Sequence, residues 1–300
     1  MTNVLINNCN RSDTPLPSVL IVIVTWNGKD DLLECLASMK QLNYPQENYK
    51  VLVVDNGSGD GTPLALATGY PEIHLIKNNK NLGYVRAVNQ GVEYGLEHGF
   101  DYVWICNNDI VADGNLLKIL VKTGQTDEKI GVIAPVVYSY NSPLIVENAG
   151  YKINYWIGRL KKLKYGHDIF VKESDTVSAV DSQMGCSNLI KAVVFKEVGL
   201  FRRIYELYFE ETDFNARARK KGFQVVVVKD AKVWHKTAST MNKFIFRRAY
   251  LLLRNLFLFE LLNAQWKHQV VFIPYCFLIH LPYFLIYGSI YGLKVKFKKD

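Results

Sequence analysis

The 300 residues include 49% apolar and 21% charged side chains, enough for one large core or two modest ones, which excludes a wholly disordered chain. A formal charge of +8 favours anionic partners such as phosphate esters, anionic lipid or nucleic acid. Cys9, Cys35, Cys106, Cys186 and Cys276 form no C-x-x-C pair, which argues against a disulfide framework or zinc cluster and fits a reducing cytosol.

Residues 1–18 read as a flexible arm, polar and marked by Arg11, Asp13, Pro15 and Pro17. The arm lacks an apolar run of signal-peptide length, so the catalytic portion is expected to stay inside the cell. Val19 to Val24 is an unbroken β-branched run, a strand buried on both faces, and it ends in Thr25-Trp26-Asn27-Gly28. Asp30 to Met39 carries Leu32, Leu33, Leu36 and Met39 at helical spacing, with Asp30, Asp31 and Glu34 early, where they suit the helix dipole. A second strand, Tyr49 to Val54, ends in Asp55-Asn56-Gly57-Ser58-Gly59-Asp60-Gly61-Thr62. A third, Ile73 to Ile76, precedes Asn81-Leu82-Gly83, and a helix is predicted from Val85 to His98. The fourth strand, Tyr102 to Cys106, stops at Asn107-Asn108-Asp109.

Strands alternating with helices predict a parallel α/β sheet with right-handed crossovers. Parallel strands point the same way, so their polar ends gather along one edge, where such sheets bind ligands. Asp109 supplies the hard oxygen that Mg²⁺ or Mn²⁺ prefers, and Asn107 and Asn108 add neutral oxygens and amide donors. Glycines in the Asp55 loop permit close backbone approach to a ligand. Neither a dinucleotide-binding glycine fingerprint nor a G-x-x-x-x-G-K-[ST] loop is present, which disfavours nicotinamide enzymes and P-loop ATPases.

Further on, Asp113 is a candidate N-cap, Leu116 to Val121 is helical and Ile130 to Tyr138 is a strand. Residues 139–180 are less regular, and Arg159, Lys161, Lys162 and Lys164 there read as a solvated face. A second polar constellation starts at Asp181 and includes Gly185 and Asn188. Tyr208-Phe209-Glu210-Glu211-Thr212-Asp213 opens a helix, Val225 to Val228 is a last strand before Trp234-His235, and Phe244 to Leu262 is a long apolar helix.

Thr25-Trp26-Asn27, Val54-Asp55-Asn56-Gly57-Ser58 with Asp60-Gly61-Thr62, Asn81-Leu82-Gly83 with Asn89-Gln90-Gly91, and Asn107-Asn108-Asp109 stand in a familiar order. Gly185 to Lys191, Phe209 to Asp213, His235, and Tyr250 with Arg254-Asn255 continue it. The set resembles glycosyltransferase family 2, in its bacterial rhamnosyltransferase-like branch, over roughly residues 19–260. The resemblance implies an α/β GT-A fold with a mostly parallel central sheet flanked by helices. It implies a catalytic domain over 19–240, with 19–125 holding a nucleotide-diphospho-sugar and 126–240 shaping the acceptor site, and a C-terminal helical region over 241–300.

Thr25, Asn27, Asp55, Asn56, Gly83, Asn89, Asn107, Asn108 and Asp109 are implied as nucleotide-sugar contacts. Asp109 matches the second acid of the family's D-x-D and so implies a Mg²⁺ or Mn²⁺ cofactor, with Asn107 in place of the first acid. His235 matches a histidine near the diphosphate or metal. Glu210 and Glu211 occupy the family's acidic pair, Glu211 as base. The chemistry agrees: a leaving diphosphate develops charge that a metal stabilises, and an acceptor hydroxyl must lose its proton. One base and direct displacement invert the anomeric centre; retention would need a nucleophile on the opposite face, which the sequence leaves open.

Val270 to Leu293 has no formal charge and is long enough to cross a bilayer, yet Pro274 and Pro282 would kink it. Lys294, Lys296, Lys298 and Lys299 follow, and a single crossing would export them against the positive-inside rule. The expectation is an interfacial tail at the cytoplasmic face of the inner membrane, lysines on anionic headgroups, with a homodimer through the C-terminal helices as another use of that face. The expected activity is transfer to a lipid-linked or cell-surface polysaccharide acceptor. The alternatives are a sugar nucleotidyltransferase and a non-catalytic membrane-bound scaffold. No nucleic-acid recognition module is evident.

Overall fold

The computed structural model of the chain describes residues 15–236 and 245–286. The first half follows the alternation of the sequence: β1 (Val19–Thr25), α1 (Lys29–Met39), β2 (Tyr49–Asp55), α2 (Thr62–Gly69), β3 (His74–Lys77), α3 (Tyr84–Glu97) and β4 (Tyr102–Asn107). The chain continues through β5 (Ile110–Ala112), α4 (Leu116–Thr126), β6 (Ile130–Ser139), β7 (Ser142–Asn148), β8 (Tyr151–Asn154), β9 (Arg159–Lys162), β10 (Val177–Ala179), β11 (Ser187–Lys191) and α5 (Ala192–Val198). It closes with α6 (Glu210–Lys220), β12 (Gln224–His235), α7 (Ile245–Asn263) and α8 (Trp266–Tyr275), which runs on through a π-helical turn at Cys276–His280 to Ile286.

The main sheet has the order β10-β12-β6-β11-β4-β1-β2-β3. β3, β2, β1 and β4 are parallel, as predicted. Beyond β4 the sheet is mixed. β11 runs antiparallel to both β4 and β6, β12 is parallel to β6, and β5, β7 and β10 add antiparallel pairings. The expected division at residue 125 falls inside this one continuous sheet, because β11 stands between β4 and β6.

Every residue of β1 is buried, and the period-2 alternation sorts its side chains. Val19, Ile21 and Ile23 pack with Leu32, Leu36 and Met39 of α1 and Leu116, Leu117 and Leu120 of α4. Leu20, Val22 and Val24 pack with Val85, Val88 and Val92 of α3 and, further along, Phe195, Phe201 and Phe214. Each such side chain contributes about 1.5–3 kcal/mol by leaving water. α3 lies close on the sheet because Gly91 faces Val22; a Cβ there would be 2.3 Å from Val22 Cγ1.

Three local features differ from the sequence reading. Residues 139–180 contain four short strands, whose mixed polar patterning hides them. Asp113 accepts the Asn115 N–H at 2.9 Å in a turn, and Asn115 stands at the cap position of α4. β12 runs well past Val228, because a bulge between Val228 and Lys232 lets the strand continue across a polar break.

Candidate active site

Register places Thr25 opposite Asp55, and Asn107 opposite Val24, at one edge of the sheet. Two loops are sewn together there. Asn27, in the left-handed region at φ 51°, accepts the Gly59 N–H at 2.8 Å, and its own N–H donates to Ser58 Oγ at 2.9 Å. Asn108 Nδ2 donates to Thr25 Oγ1 at 3.1 Å, lying over Gly28, where a Cβ would be 2.3 Å from that nitrogen. The Asp55 carboxylate is fully buried and receives the Ser58 N–H at 3.3 Å.

Two of the expected ligand contacts serve as internal clips. Asn56 bonds to Asn81, Gly83, Asn78 and Leu82, fixing the loop that Gly83 closes at φ 87° before α3. Asn89 is buried and holds both the N–H and the C=O of Phe201, through its Oδ1 and Nδ2 at 3.2 and 2.9 Å.

His235 ends β12 opposite Ile110, which brings it to Asp109: Nε2 stands 3.5 Å from Asp109 Oδ1, and Nδ1 stands 3.4 Å from Glu147 Oε2. Burial opposes a charged imidazole, but hydrogen bonding and attraction from Asp109 and Glu147 prevail and raise its pKa to about 9. Apart from His235 Nε2, at the long distance of 3.5 Å, the buried Asp109 Oδ1 has no hydrogen-bond partner among the described residues. An anionic oxygen left in that state fits a divalent cation. Among the described residues no three His, Cys, Asp or Glu side chains close into a metal cage. An open site shared with substrate phosphates is the arrangement Mg²⁺ usually takes. Lys236, next in sequence, donates its N–H to the Asp109 carbonyl at 3.0 Å and pairs with Asp31 and Glu34 of α1.

The acidic pair opens α6. Tyr84, Ile105, Gly185, Asn188 and Phe201 surround Glu210 and Glu211 in a small pocket. Glu210 is buried, and burial followed by repulsion from Glu211 raises its pKa well above the carboxylate range. Glu211 is more open and is also raised, chiefly by burial, with Oε1 accepting from Thr212 Oγ1 at 3.0 Å. Tyr84 joins the two constellations: its hydroxyl donates to Asn107 Oδ1 at 3.1 Å while its ring lines the Glu210–Glu211 pocket.

The segment before α6 is strained. Glu206, Tyr208 and Phe209 have φ of 60°, 69° and 69°, and such backbone costs about 1–3 kcal/mol per residue. Asn255 of α7 restrains it by donating Nδ2 to the carbonyls of Tyr205, Leu207 and Tyr208 at 2.8–2.9 Å. Behind the pair, fully buried Asp213 receives Arg202, Arg217, Tyr205 and Asn263. Sequence reading gave Tyr84 no role and named Asn255 and Asp213 only as parts of motifs; apart from the Asp213–Arg217 pair four residues apart, their partners lie too far away in the sequence to be read from it. Burial pushes the Cys106 and Cys186 thiols up, so they act as small apolar groups.

The chain matches the family model described as Glycosyl transferase family 2 over residues 20–175, just over half its length. It belongs to glycosyl transferase family 2. This glycosyltransferase is 25% identical over 242 residues to the N-acetylglucosaminyl-diphospho-decaprenol L-rhamnosyltransferase of Mycobacterium tuberculosis, covering 74% of this chain and 77% of the relative. It is 24% identical over 219 residues to the dTDP-rhamnosyl transferase RfbF of Shigella flexneri, covering 73% and 69%. The mannosyltransferase PcManGT from Pyrobaculum calidifontis, solved with GDP-Man and Mn²⁺, superposes with a TM-score of 0.63 at 19% identity, covering 93% of this chain and 74% of that one. GalNAc-T7, solved with UDP, GalNAc and Mn²⁺, gives 0.63 at 14% identity over 78% of this chain and 48% of its own. The glycosyltransferase has the GT-A fold that these neighbours share.

Proposed function

We propose that this family 2 enzyme is an inverting transferase that moves a sugar, with a deoxyhexose such as rhamnose favoured, from a nucleotide-diphospho-sugar to a lipid-linked or glycan acceptor. The observation that carries the proposal is the Tyr84 bridge, which ties the edge bearing Asn107 to the pocket of Glu210 and Glu211. A donor held along that edge would present its sugar to the acids. The rhamnosyltransferase names among the relatives support the sugar class.

Thr25, Asn27 and Asp55 line the nucleoside end in this reading, and Asn107 and Asn108 the diphosphate. Asp109 would hold Mg²⁺ or Mn²⁺, and His235 would join it by giving up the proton that Asp109 and Glu147 otherwise favour. Such a cation neutralises charge on a departing diphosphate. Glu211 accepts the acceptor hydroxyl's proton as that oxygen bonds to the anomeric carbon; the bond to the diphosphate breaks and the nucleoside diphosphate leaves with the electron pair. Desolvation raises the basicity of Glu211.

Work at a membrane surface fits the apolar helix Trp266–Ile286, whose mean hydropathy is 1.8 and which is largely uncovered by protein. The proposed location is the cytoplasmic face of the inner membrane. The expected lysine contacts at 294–299 lie outside the described residues.

The test is incubation of the purified full chain with UDP-, dTDP- and GDP-sugars, with and without Mn²⁺, following nucleoside diphosphate release and the anomeric configuration of the product. Cation-dependent release with inversion is expected. A retained configuration would exclude single displacement, and no release from any donor would overturn the proposal.

A further inference from the structure

The β8–β9 hairpin carries a concentration of positive charge that its own fold does not neutralise. Register sets Lys152 opposite Lys161 and Asn154 opposite Arg159, so these cations share one face. Like charges directly opposite each other destabilise a strand pair. Lys161 is offset by Asp168 at 3.2 Å and Lys152 by Asp181 at 3.6 Å. Arg159 on that face, Lys162 on the alternate face opposite Tyr151, and Lys164 beyond the strand are all exposed, and among the described residues no carboxylate side chain forms an ion pair with them. On the opposite face, Ile153 packs against the cluster of Tyr205 and Phe259.

The turn of this hairpin is built onto the apolar C-terminal helix. His280 Nε2 contacts the Ile157 carbonyl at 2.7 Å, the Trp156 and His268 rings meet edge-on at 4.5 Å, and a Cβ on Gly158 would be 2.4 Å from the Phe272 ring. The contacts run from His268 to His280, about 18 Å along a helix. The other side of that helix is exposed: Trp266 is 77% exposed, Leu278 73% and Val270 63%, with Phe277 also open. Trp156, beside the turn, is 46% exposed and with Trp266 and Tyr283 supplies the aromatic residues that settle at headgroup level.

From this juxtaposition we infer that the basic β8–β9 hairpin and the bare face of Trp266–Ile286 form one docking surface for an anionic phospholipid bilayer, the helix lying in the interface and the hairpin cations on headgroup phosphates. A spanning helix is disfavoured by the same contacts. Hydrocarbon along His268–His280 would draw the hairpin, with Arg159 and its lysines, below the headgroups, at a cost of several kcal/mol. The face commits to a bilayer because charge and apolar surface adjoin, the pattern of interfacial anchors. The hairpin thus has a task that a merely solvated face lacks. The inference rests on the membrane-surface reading above and is independent of which sugar is transferred.

The experiment is co-sedimentation of the full chain with pure phosphatidylcholine vesicles and with vesicles containing added phosphatidylglycerol. The chain should bind both, and the anionic vesicles more tightly. The combined Arg159→Gln, Lys162→Gln and Lys164→Gln variant breaks no ion pair among the described residues. It should lose affinity for anionic vesicles by about fivefold per cation, roughly a hundredfold in all, with affinity for neutral vesicles unchanged. The loss should shrink as salt rises. Phe277→Glu with Leu278→Glu should weaken binding to both kinds. Thermal unfolding and sugar-nucleotide turnover in detergent establish that each variant is folded. Unchanged anionic binding in the hairpin variant overturns the inference while leaving the helix as an anchor. Failure of the unaltered chain to bind either vesicle, or its appearance as a stable dimer that buries the helix face, overturns both. Vesicle binding by an unaltered chain that releases no nucleoside diphosphate from any sugar donor would count against the glycosyltransfer proposal alone.

Discussion

The Tyr84 hydroxyl and the Asn107 side-chain oxygen are 3.1 Å apart, joining the first turn of α3 to the end of β4. Asn107 stands where a first acid of a D-x-D would be, and its amide oxygen is oriented by a phenol that burial and the nearby Glu210 and Glu211 keep protonated. Tyr84→Phe removes one hydrogen bond, worth about 1 kcal/mol, and should weaken donor use up to about tenfold with little change in melting temperature. Unaltered kinetics would mean the bridge has no part in holding the donor.

Asp109→Asn conserves shape but removes the charge of the orphaned oxygen. It should abolish Mn²⁺ binding, read by electron paramagnetic resonance, and reduce cation-dependent turnover by more than the roughly 10–100-fold that loss of an outer-sphere partner costs. An unchanged Mn²⁺ signal would remove Asp109 from the metal assignment.

Glu211→Gln should lower turnover by about 10²–10⁴, the usual cost of removing a general base, with donor affinity retained. Burial raises the Glu211 pKa, so activity of the unaltered enzyme should climb as pH rises through that raised value. The Gln variant should lack this limb. Glu210→Gln is expected to be milder; if it is the more damaging, the roles are reversed.

Asn255 gathers three carbonyls of a strained segment, and truncation would remove these hydrogen bonds, each worth about 1 kcal/mol. Asn255→Ala should lower the melting temperature and also kcat, because the loop it restrains leads directly into Glu210 and Glu211. Nucleotide binding should be spared. A drop in stability with kcat intact would make the residue structural only.

Glu260 of α7 is fully buried, neither carboxyl oxygen has a hydrogen-bond partner among the described residues, and burial raises its pKa from 4.5 to about 8. A raised folded-state value means the stabilising proton is fully effective below about 4.5. The contribution is lost as pH climbs toward about 8, where the folded form also ionises. The unaltered chain should therefore lose stability across that interval. Glu260→Gln should flatten the slope, with chemical denaturation at several pH values as the measure. Parallel slopes would refute the assignment.

The strands and most helices of the first half were legible because each is a contiguous signal. β1 and β4 are apolar runs, and α1 shows its face at helical spacing. The gathering of polar loop residues followed as well, since parallel strands place their ends on one edge. The sheet's second half was illegible for a physical reason: antiparallel insertion of β11 between β4 and β6 depends on pairings far apart in sequence, such as Trp104 with Leu189. β8 to β10 are too short and too polar to stand out from loops, and β7 shows only a three-residue apolar run between polar ends.

The sequence by itself supplied the candidate side chains: Asp55, Asp109 and His235 are polar groups at or just past the ends of apolar strands, and Glu210 and Glu211 open a polar helix. Only tertiary structure decided what they meet. His235 reaches Asp109 because β12 pairs with β5, and the acids face Tyr84 because Asn255 and Asp213 lock the entrance to α6. Asn56 and Asn89 carry the same amide as Asn107, yet they serve as clips, because burial and nearby backbone groups claim their hydrogen bonds. Composition specifies the donors and acceptors a chain carries; packing specifies which remain free for a ligand.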